Sequence, residues 1–112
     1  MRALVARDDA EAELALDVYV HRLRAAIAAM VAALGGLDTL VFTGGVGEHA
    51  PEVRARTAAG LGFLGVVVDP QANAGASADA EIGASGAAAR TLVITAREDL
   101  EVARQVRALL AR

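Results

Sequence analysis

The residues best suited to chemistry lie in a glycine-rich segment near the middle of the chain, residues 41–52, VFTGGVGEHAPE. A short apolar run precedes the glycines, and Pro51 followed by Glu52 is typical of the first turn of a helix. Glycines let the backbone approach a ligand closely, and the start of a helix presents unpaired N–H groups to an anion. Spacing alone therefore predicts either a nucleotide site or a tight turn that needs positive φ angles, and it favours neither.

The same glycines satisfy a second pattern, the G-x-G-x-x-A fingerprint of dinucleotide-binding folds, through Gly45, Gly47 and Ala50. Asp69, after the next apolar run, stands where such folds place the acidic residue that binds a ribose. Two features count against an NAD-binding module. Pro51 predicts a helix start several residues beyond the second glycine, and the element before the strand is a helix of about 25 residues rather than an opening strand.

Isolated polar residues carry weaker signals. Glu98 follows an apolar run and opens the last predicted helix, where the helix dipole favours a carboxylate and where a carboxylate could also hold Mg2+ beside a phosphate. His21 borders an apolar stripe, and His49 either contacts a ligand or caps the following turn. Ser77 and Ser85 have no base nearby in sequence, so we assign them no catalytic role.

Composition narrows the classes of function. The chain has 112 residues, enough for one small domain, and its net charge of -3 argues against nucleic acid as a partner. It contains no cysteine, which excludes disulfides and thiolate metal sites, and all eleven basic residues are arginine, which excludes lysine chemistry. The apolar runs are too short to span a membrane, and the start lacks the pattern of a signal peptide. We expect a soluble, cytoplasmic chain.

Hydrophobic periodicity predicts an α/β pattern of helices and three main strands. A long helix, capped by Asp8 or Asp9, carries the apolar stripe Leu16, Val20, Leu23, Ile27, Met30 and Leu34 and ends at Gly35-Gly36. After it we expect a strand at 39–43, a helix from Pro51 to about Gly60 or Gly62, a strand at 66–68, a loop at 71–89 with a minor strand at 80–83, a strand at 91–95 and a helix from 98 to about 110.

Three strands make a thin sheet whose edges are open to pairing. The chain therefore reads as one part of a larger sheet. A non-enzymatic module that pairs this edge with itself or with a partner is a second alternative to a nucleotide site.

Three blocks of the sequence, taken together, resemble one family. They are residues 35–48, GGLDTLVFTGGVGE; residues 51–70, which begin PEVR and end DP; and residues 92–104, LVITAREDLEVAR. They resemble acetate kinases of the acetokinase family, within the sugar kinase/Hsp70/actin superfamily, over nearly the whole chain. The resemblance implies part of a ribonuclease H-like (actin-like ATPase) domain with ATP or ADP and Mg2+ as cofactors.

The resemblance also implies roles for particular residues. Those that would line the nucleotide pocket are Gly45, Val46, Gly47, Glu48 and His49. The family usually has asparagine at the position of His49. Glu98 matches the acidic residue that the family uses for Mg2+. Arg2 matches the arginine of a short Asp-x-Arg nucleotide motif, whose aspartate would fall before Met1.

On this resemblance, residues 1–112 are the C-terminal, nucleotide-side part of an acetate kinase, and the N-terminal domain with the catalytic residues is absent. The parent reaction would transfer a phosphoryl group between ATP and acetate or another short carboxylate. The family implies a homodimer for the full-length protein. For the 112-residue chain we predict weak nucleotide binding, no turnover, no catalytic residue and an open edge that permits self-association.

Overall fold

The computed structural model describes residues 1–112 as six α-helices and one three-stranded sheet. In chain order the elements are α1 (Arg2–Val5), α2 (Ala10–Leu34), β1 (Thr39–Phe42), α3 (Gly44–His49), α4 (Pro51–Ala59), a 3-10 turn (Gly62–Leu64), α5 (Pro70–Gly75), β2 (Ala80–Glu81), β3 (Arg90–Val93) and α6 (Glu98–Leu110). No helix is both long and apolar enough to cross a membrane.

Helix α2 begins and ends as its sequence predicts. The Asp9 side chain accepts the Ala12 N–H at 2.9 Å, and Gly35 ends the helix in the left-handed region with φ of 78°. Only the first half of its apolar stripe is fully buried, where Leu16 and Val20 pack with residues of α4 and its cap. Met30 and Leu34, at the far end, are 61% and 76% exposed, so the predicted stripe extends beyond the core of this chain.

The sheet has the order β1-β3-β2. Strands β1 and β3 are parallel, with Thr39 opposite Arg90 and Phe42 opposite Val93, and β2 pairs with β3 in the antiparallel direction. The predicted strands at 39–43 and 91–95 and the minor strand at 80–83 are therefore confirmed in slightly shorter form.

The predicted strand at 66–68 is wrong. Val66 and Val68 each make one isolated bridge, to Ala89 and Gly83, and no continuous ladder forms. Gly65 turns the chain with φ of 85° immediately before this segment, and Asp69 starts a helix immediately after it. The first residue of the segment pairs in the parallel direction with Ala89 and the last in the antiparallel direction with Gly83, so no single partner strand runs along it.

The predicted loop at 71–89 begins with a helix instead. Pro70 presets the backbone of the first turn of α5, and the Asp69 carboxylate accepts the Ala72 N–H at 2.7 Å. This cap and the proline favour a helix more strongly than the small polar residues favour a loop.

The core is small and divided. Only 16 of the 112 residues are buried, and all of the apolar ones except Ala12 belong to three clusters of three or four residues. Every residue of α6 is exposed, including the apolar residues Val102, Val106, Leu109 and Leu110. The radius of gyration is 16.3 Å, whereas a compact chain of this length has about 13 Å. The chain therefore does not close around a single core.

The core cluster that contains Leu16 gives a direct test of which residues stabilise the fold. Leu16→Ala removes a side chain that is 3% exposed, so we expect it to lower the free energy of unfolding by about 2 to 5 kcal/mol. Leu14→Ala, on the same helix but 64% exposed, is the matched control, with an expected change within about 0.5 kcal/mol. Urea unfolding followed by circular dichroism measures both, and equal losses would contradict the assigned core.

Candidate functional site

The segments that follow β1 and β3 leave the sheet at the same end. Because β1 and β3 are parallel, their carboxyl ends, Phe42 and Val93, are adjacent, and the Ile94 N–H donates to the Phe42 carbonyl at 2.9 Å. The chain continues from β1 into the glycine segment and from β3 into the connection that leads to Glu98. In open α/β sheets, ligands bind at the carboxyl ends of the strands.

The glycine segment is a helix, not the loop that we expected before Pro51. Thr43 is extended, and Gly44 at φ of 74° then turns the chain directly from β1 into α3. Helix α4 starts at Pro51 as predicted, and Ala50 lies between the two helices. The expectation that no helix opens within the dinucleotide motif is therefore wrong, because α3 begins at Gly44. The long helix before β1 still counts against a dinucleotide fold, since α2 has 25 residues.

The glycines of α3 have different structural roles. Gly44 supplies the positive φ of the turn. A Cβ on Gly47 would lie 3.1 Å from the carbonyl carbon of Phe42, so glycine lets α3 pack against the end of β1. A Cβ on Gly45 would meet no atom within 4 Å, because that side of the helix is open.

A cavity of about 520 Å³ lies over the open side of α3. The predicted site residues that line it are Arg2, Gly45, Val46 and His49, and Met1 and Pro51 contribute to its walls. Gly47 and Glu48 are not among its lining residues. The fold thus brings the start of the chain and the glycine helix together on one cavity.

A larger cavity of about 670 Å³ between α4, α5 and residues 66–68 offers few groups that could bind a polar ligand. Alanine, valine and proline line most of it, and its buried amide, Asn73, is already hydrogen-bonded to protein groups. The smaller cavity is the better candidate because it contains a free guanidinium and an imidazole.

Glu48 faces away from the cavity and binds backbone groups. Its Oε1 accepts the Gly44 N–H at 2.9 Å and the Ala96 N–H at 2.8 Å. The Gly44 N–H is consequently not free to bind a ligand, although the start of the helix was expected to offer unpaired donors.

The buried side chain of Arg54 holds α3 in place, a role that the sequence did not predict. It is 1% exposed; Nη1 donates to the carbonyls of Gly47 and Glu48 at 2.8 and 2.9 Å, and Nε and Nη2 donate to the side chain and carbonyl of Asn73 at 2.7 Å each. Burial lowers the pKa of the Arg54 guanidinium, which has no carboxylate partner. A sequence cue exists, because Arg54 lies on the same buried stripe of α4 as Val53, Thr57 and Ala58.

Glu98 is the first residue of α6, as predicted, and it is exposed. The chain contains no group of three or more His, Asp or Glu side chains placed to hold a metal ion. The connection before Glu98 is fixed by Asp79, which accepts the Thr95 N–H at 2.9 Å and pairs with Arg97 at 2.7 Å. These partners, Arg97 first, lower the pKa of the Asp79 carboxyl.

Comparison with known proteins identifies the family of this site. Residues 1–104 match the model described as the acetokinase family. The chain belongs to the acetokinase family. It is 57% identical over 97 residues to an acetate kinase of Gloeobacter violaceus, an alignment that covers 87% of this chain and 24% of the relative. The chain thus spans about a quarter of the length of the acetokinases that it matches.

Solved structures agree with the family. An acetate kinase of Porphyromonas gingivalis matches with a TM-score of 0.79 at 32% identity, over 88% of this chain and 25% of that one. A propionate kinase of Francisella tularensis matches with a TM-score of 0.77, also at 32% identity, over 90% and 26%. The predicted family and the predicted fold class, part of an actin-like ATPase domain, are confirmed. The two alternatives, an NAD module and a non-enzymatic pairing module, find no support in these comparisons, and Asp69 caps α5.

Replacing Gly44 or Gly45, at the start of α3, by alanine should change the free energy of unfolding in opposite directions. We expect Gly44→Ala to lower the free energy of unfolding by about 1 to 2 kcal/mol, because alanine is strained at positive φ. Gly45→Ala should raise it by about 0.5 to 1 kcal/mol, because its φ is negative and the added methyl meets open space within a helix. Chemical denaturation measures both, and a loss at Gly45 equal to that at Gly44 would contradict this geometry.

Arg54 should matter far more for stability than its neighbour on the same helix. Arg54→Met leaves buried acceptors without donors, and we expect a loss of about 3 kcal/mol or more. Arg56→Met is the control: Arg56 pairs with Glu13, Glu52 and Asp17 near the surface, where such pairs contribute about 1 kcal/mol or less. Comparable urea midpoints for the two variants would contradict the assigned role of Arg54.

Proposed function

We propose that residues 1–112 form the C-terminal, nucleotide-side part of an acetate kinase, which transfers a phosphoryl group between ATP and acetate to give acetyl phosphate. Membership of the acetokinase family supports this assignment, as do relatives named acetate kinase at up to 57% identity. One structural neighbour is a propionate kinase, so the acceptor is assigned only as a short carboxylate.

The observation that carries the proposal is the convergence of two distant segments on one cavity. Arg2 comes from α1, while Gly45, Val46 and His49 come from α3. The cavity volume, about 520 Å³, lies within the range of about 300 to 1,000 Å³ that is usual for small-molecule sites. The guanidinium of Arg2 supplies local positive charge on a chain whose net charge is -3.

Each lining residue has a chemical role in this proposal. Gly45 leaves the helix surface free of a side chain, so a nucleotide can approach the backbone. Val46 supplies an apolar wall for the adenosine, Arg2 a charged donor, and His49 a donor or acceptor. Gly47 and Glu48 act from behind the cavity by fixing the position of α3.

Glu98 is proposed to hold Mg2+. Proteins usually bind Mg2+ through one or two carboxylates together with phosphate oxygens and water, so a single exposed carboxylate at the same sheet edge fits that ion. When bound, the ion neutralises charge that develops on the transferred phosphoryl group. Glu98 contributes a carboxylate oxygen, and the helix that it opens sets its position.

The 112-residue chain is proposed to bind ATP or ADP weakly and to turn over no substrate. Phosphoryl transfer depends on positioning and on cations around the phosphoryl group. The residues in this chain form one wall of such a site, and we assign none of them a catalytic role. For the full-length protein we propose a cytoplasmic homodimer that acts on a nucleotide and a short carboxylate, with no nucleic-acid partner.

Titration of the chain with ADP by isothermal calorimetry tests the nucleotide assignment. We expect Arg2→Gln to weaken binding about tenfold, the effect of losing one charged hydrogen bond. His49→Asn should retain binding because the amide keeps a donor and an acceptor. Arg112→Gln, at the exposed end of the chain, is the matched control with the same loss of charge.

Two results would contradict the proposal. Tighter binding of NADH than of ADP would favour the dinucleotide alternative. Formation of acetyl phosphate from ATP and acetate by the purified chain would overturn the assignment of no turnover.

A further inference from the structure

The carboxylate of Glu48 is hydrogen-bonded to both segments that leave the sheet, one after β1 and the other after β3. A single oxygen, Oε1, accepts both the Gly44 N–H at 2.9 Å and the Ala96 N–H at 2.8 Å. Gly44 lies one helical turn before Glu48, whereas Ala96 lies 48 residues beyond it. Because one atom receives both donors, a shift of either connection disturbs the hydrogen bond made by the other.

This contact differs from an ordinary helix cap. A capping carboxylate needs only the N–H groups at the start of its own helix, and Gly44 alone would satisfy that requirement. The bond from Ala96 comes from another part of the chain, and both bonds are partly buried. Hydrogen bonds from backbone N–H groups to a carboxylate are about twice as strong as those between neutral groups.

Both ends of the Glu48 bridge are fixed by further contacts. Arg54 donates to the carbonyl of Glu48 itself at 2.9 Å, which holds the backbone from which the carboxylate projects. On the other side, Asp79 accepts the N–H of Thr95, the residue before Ala96, at 2.9 Å. The bridge therefore connects two anchored segments.

We propose that Glu48 is a positioning residue that couples the cavity-lining helix α3 to the segment carrying Glu98. Residues of α3 line the cavity, and Glu98 follows Ala96 by two positions. The inference rests on the proposed function, because it assigns the nucleotide to α3 and Mg2+ to Glu98. Coupling between the two sites is reciprocal, so a nucleotide at α3 strengthens Mg2+ binding and Mg2+ strengthens nucleotide binding.

Two substitutions at Glu48 separate positioning from direct contact. Glu48→Gln keeps a carbonyl oxygen at the place of Oε1 and can still accept both N–H groups, whereas Glu48→Ala removes the acceptor. We expect amide hydrogen exchange at Gly44 and Ala96, measured by NMR on the 112-residue chain, to accelerate in Glu48→Ala and to change little in Glu48→Gln. Glu81→Gln is the control, because it removes an exposed carboxylate of β2 that pairs with Arg90 of β3 and touches neither connection.

The coupling itself is measured by titrating ADP with and without Mg2+. We expect Mg2+ to tighten ADP binding to the wild-type chain, and we call the ratio of the ADP dissociation constants without and with Mg2+ the Mg2+ increment. In Glu48→Ala this increment should fall about fivefold or more, which is the lower end of usual couplings between sites. Glu48→Gln should keep most of the increment, and Glu81→Gln all of it. Far-UV circular dichroism verifies that the variants remain folded.

The outcomes distinguish this inference from the proposed function. If Glu48→Gln loses as much of the Mg2+ increment as Glu48→Ala, the charge acts directly on the ligands and the positioning role is overturned. Unchanged exchange at Ala96 in Glu48→Ala would likewise overturn the bridge. A wild-type chain that binds no ADP would overturn the proposed function, while the exchange measurement still decides whether the bridge exists.

Discussion

The parallel pairing of β1 with β3 is the constraint on which the rest of the structure depends. Four residues of each strand align, and the segments between them (α3, α4, α5 and β2) form the long crossover that parallel strands require. This pairing sets the glycine helix and the Glu98 connection side by side. The entropy of closing so long a loop must be offset by contacts that form only in the folded chain.

Several of those contacts are polar, because few large apolar side chains are buried. Aromatic residues make up 3% of the sequence, and the buried apolar residues are mostly alanine, valine and leucine. Arg54 fills interior space that a large apolar residue would otherwise occupy. Two of its four donated hydrogen bonds hold the end of α3, and the other two bind Asn73 of α5. Glu48 performs a similar task at the start of the helix. Buried polar groups of this kind fix one arrangement, since any other leaves donors or acceptors unpaired.

The features predictable from sequence are those decided by local chemistry. Asp9 caps α2, Gly35 ends it and Glu98 opens α6, because each depends only on residues within one turn. Helix α3 was not predictable from propensity, since three glycines in six residues are typical of a loop. It forms because Gly44 permits the turn out of β1 and Gly47 permits close packing on Phe42. The meeting of Arg2 with α3 was implied only by the family resemblance, because no local pattern relates residues so far apart.

The exposure of α6 has a consequence for the helix–coil equilibrium of this segment. It has 13 residues, no buried side chain and no neighbour packed along it, and isolated helices shorter than about 12 to 15 residues are marginal in water. Its helicity in this chain therefore depends on interactions within the helix itself. These are the acidic residues beside the positive end of the helix dipole and the ion pair of Glu101 with Arg104. Arg97 and Asp79 tether only its first turn. Melting accordingly starts at Leu109 and Leu110, and Glu98 is among the last residues of the helix to lose its conformation.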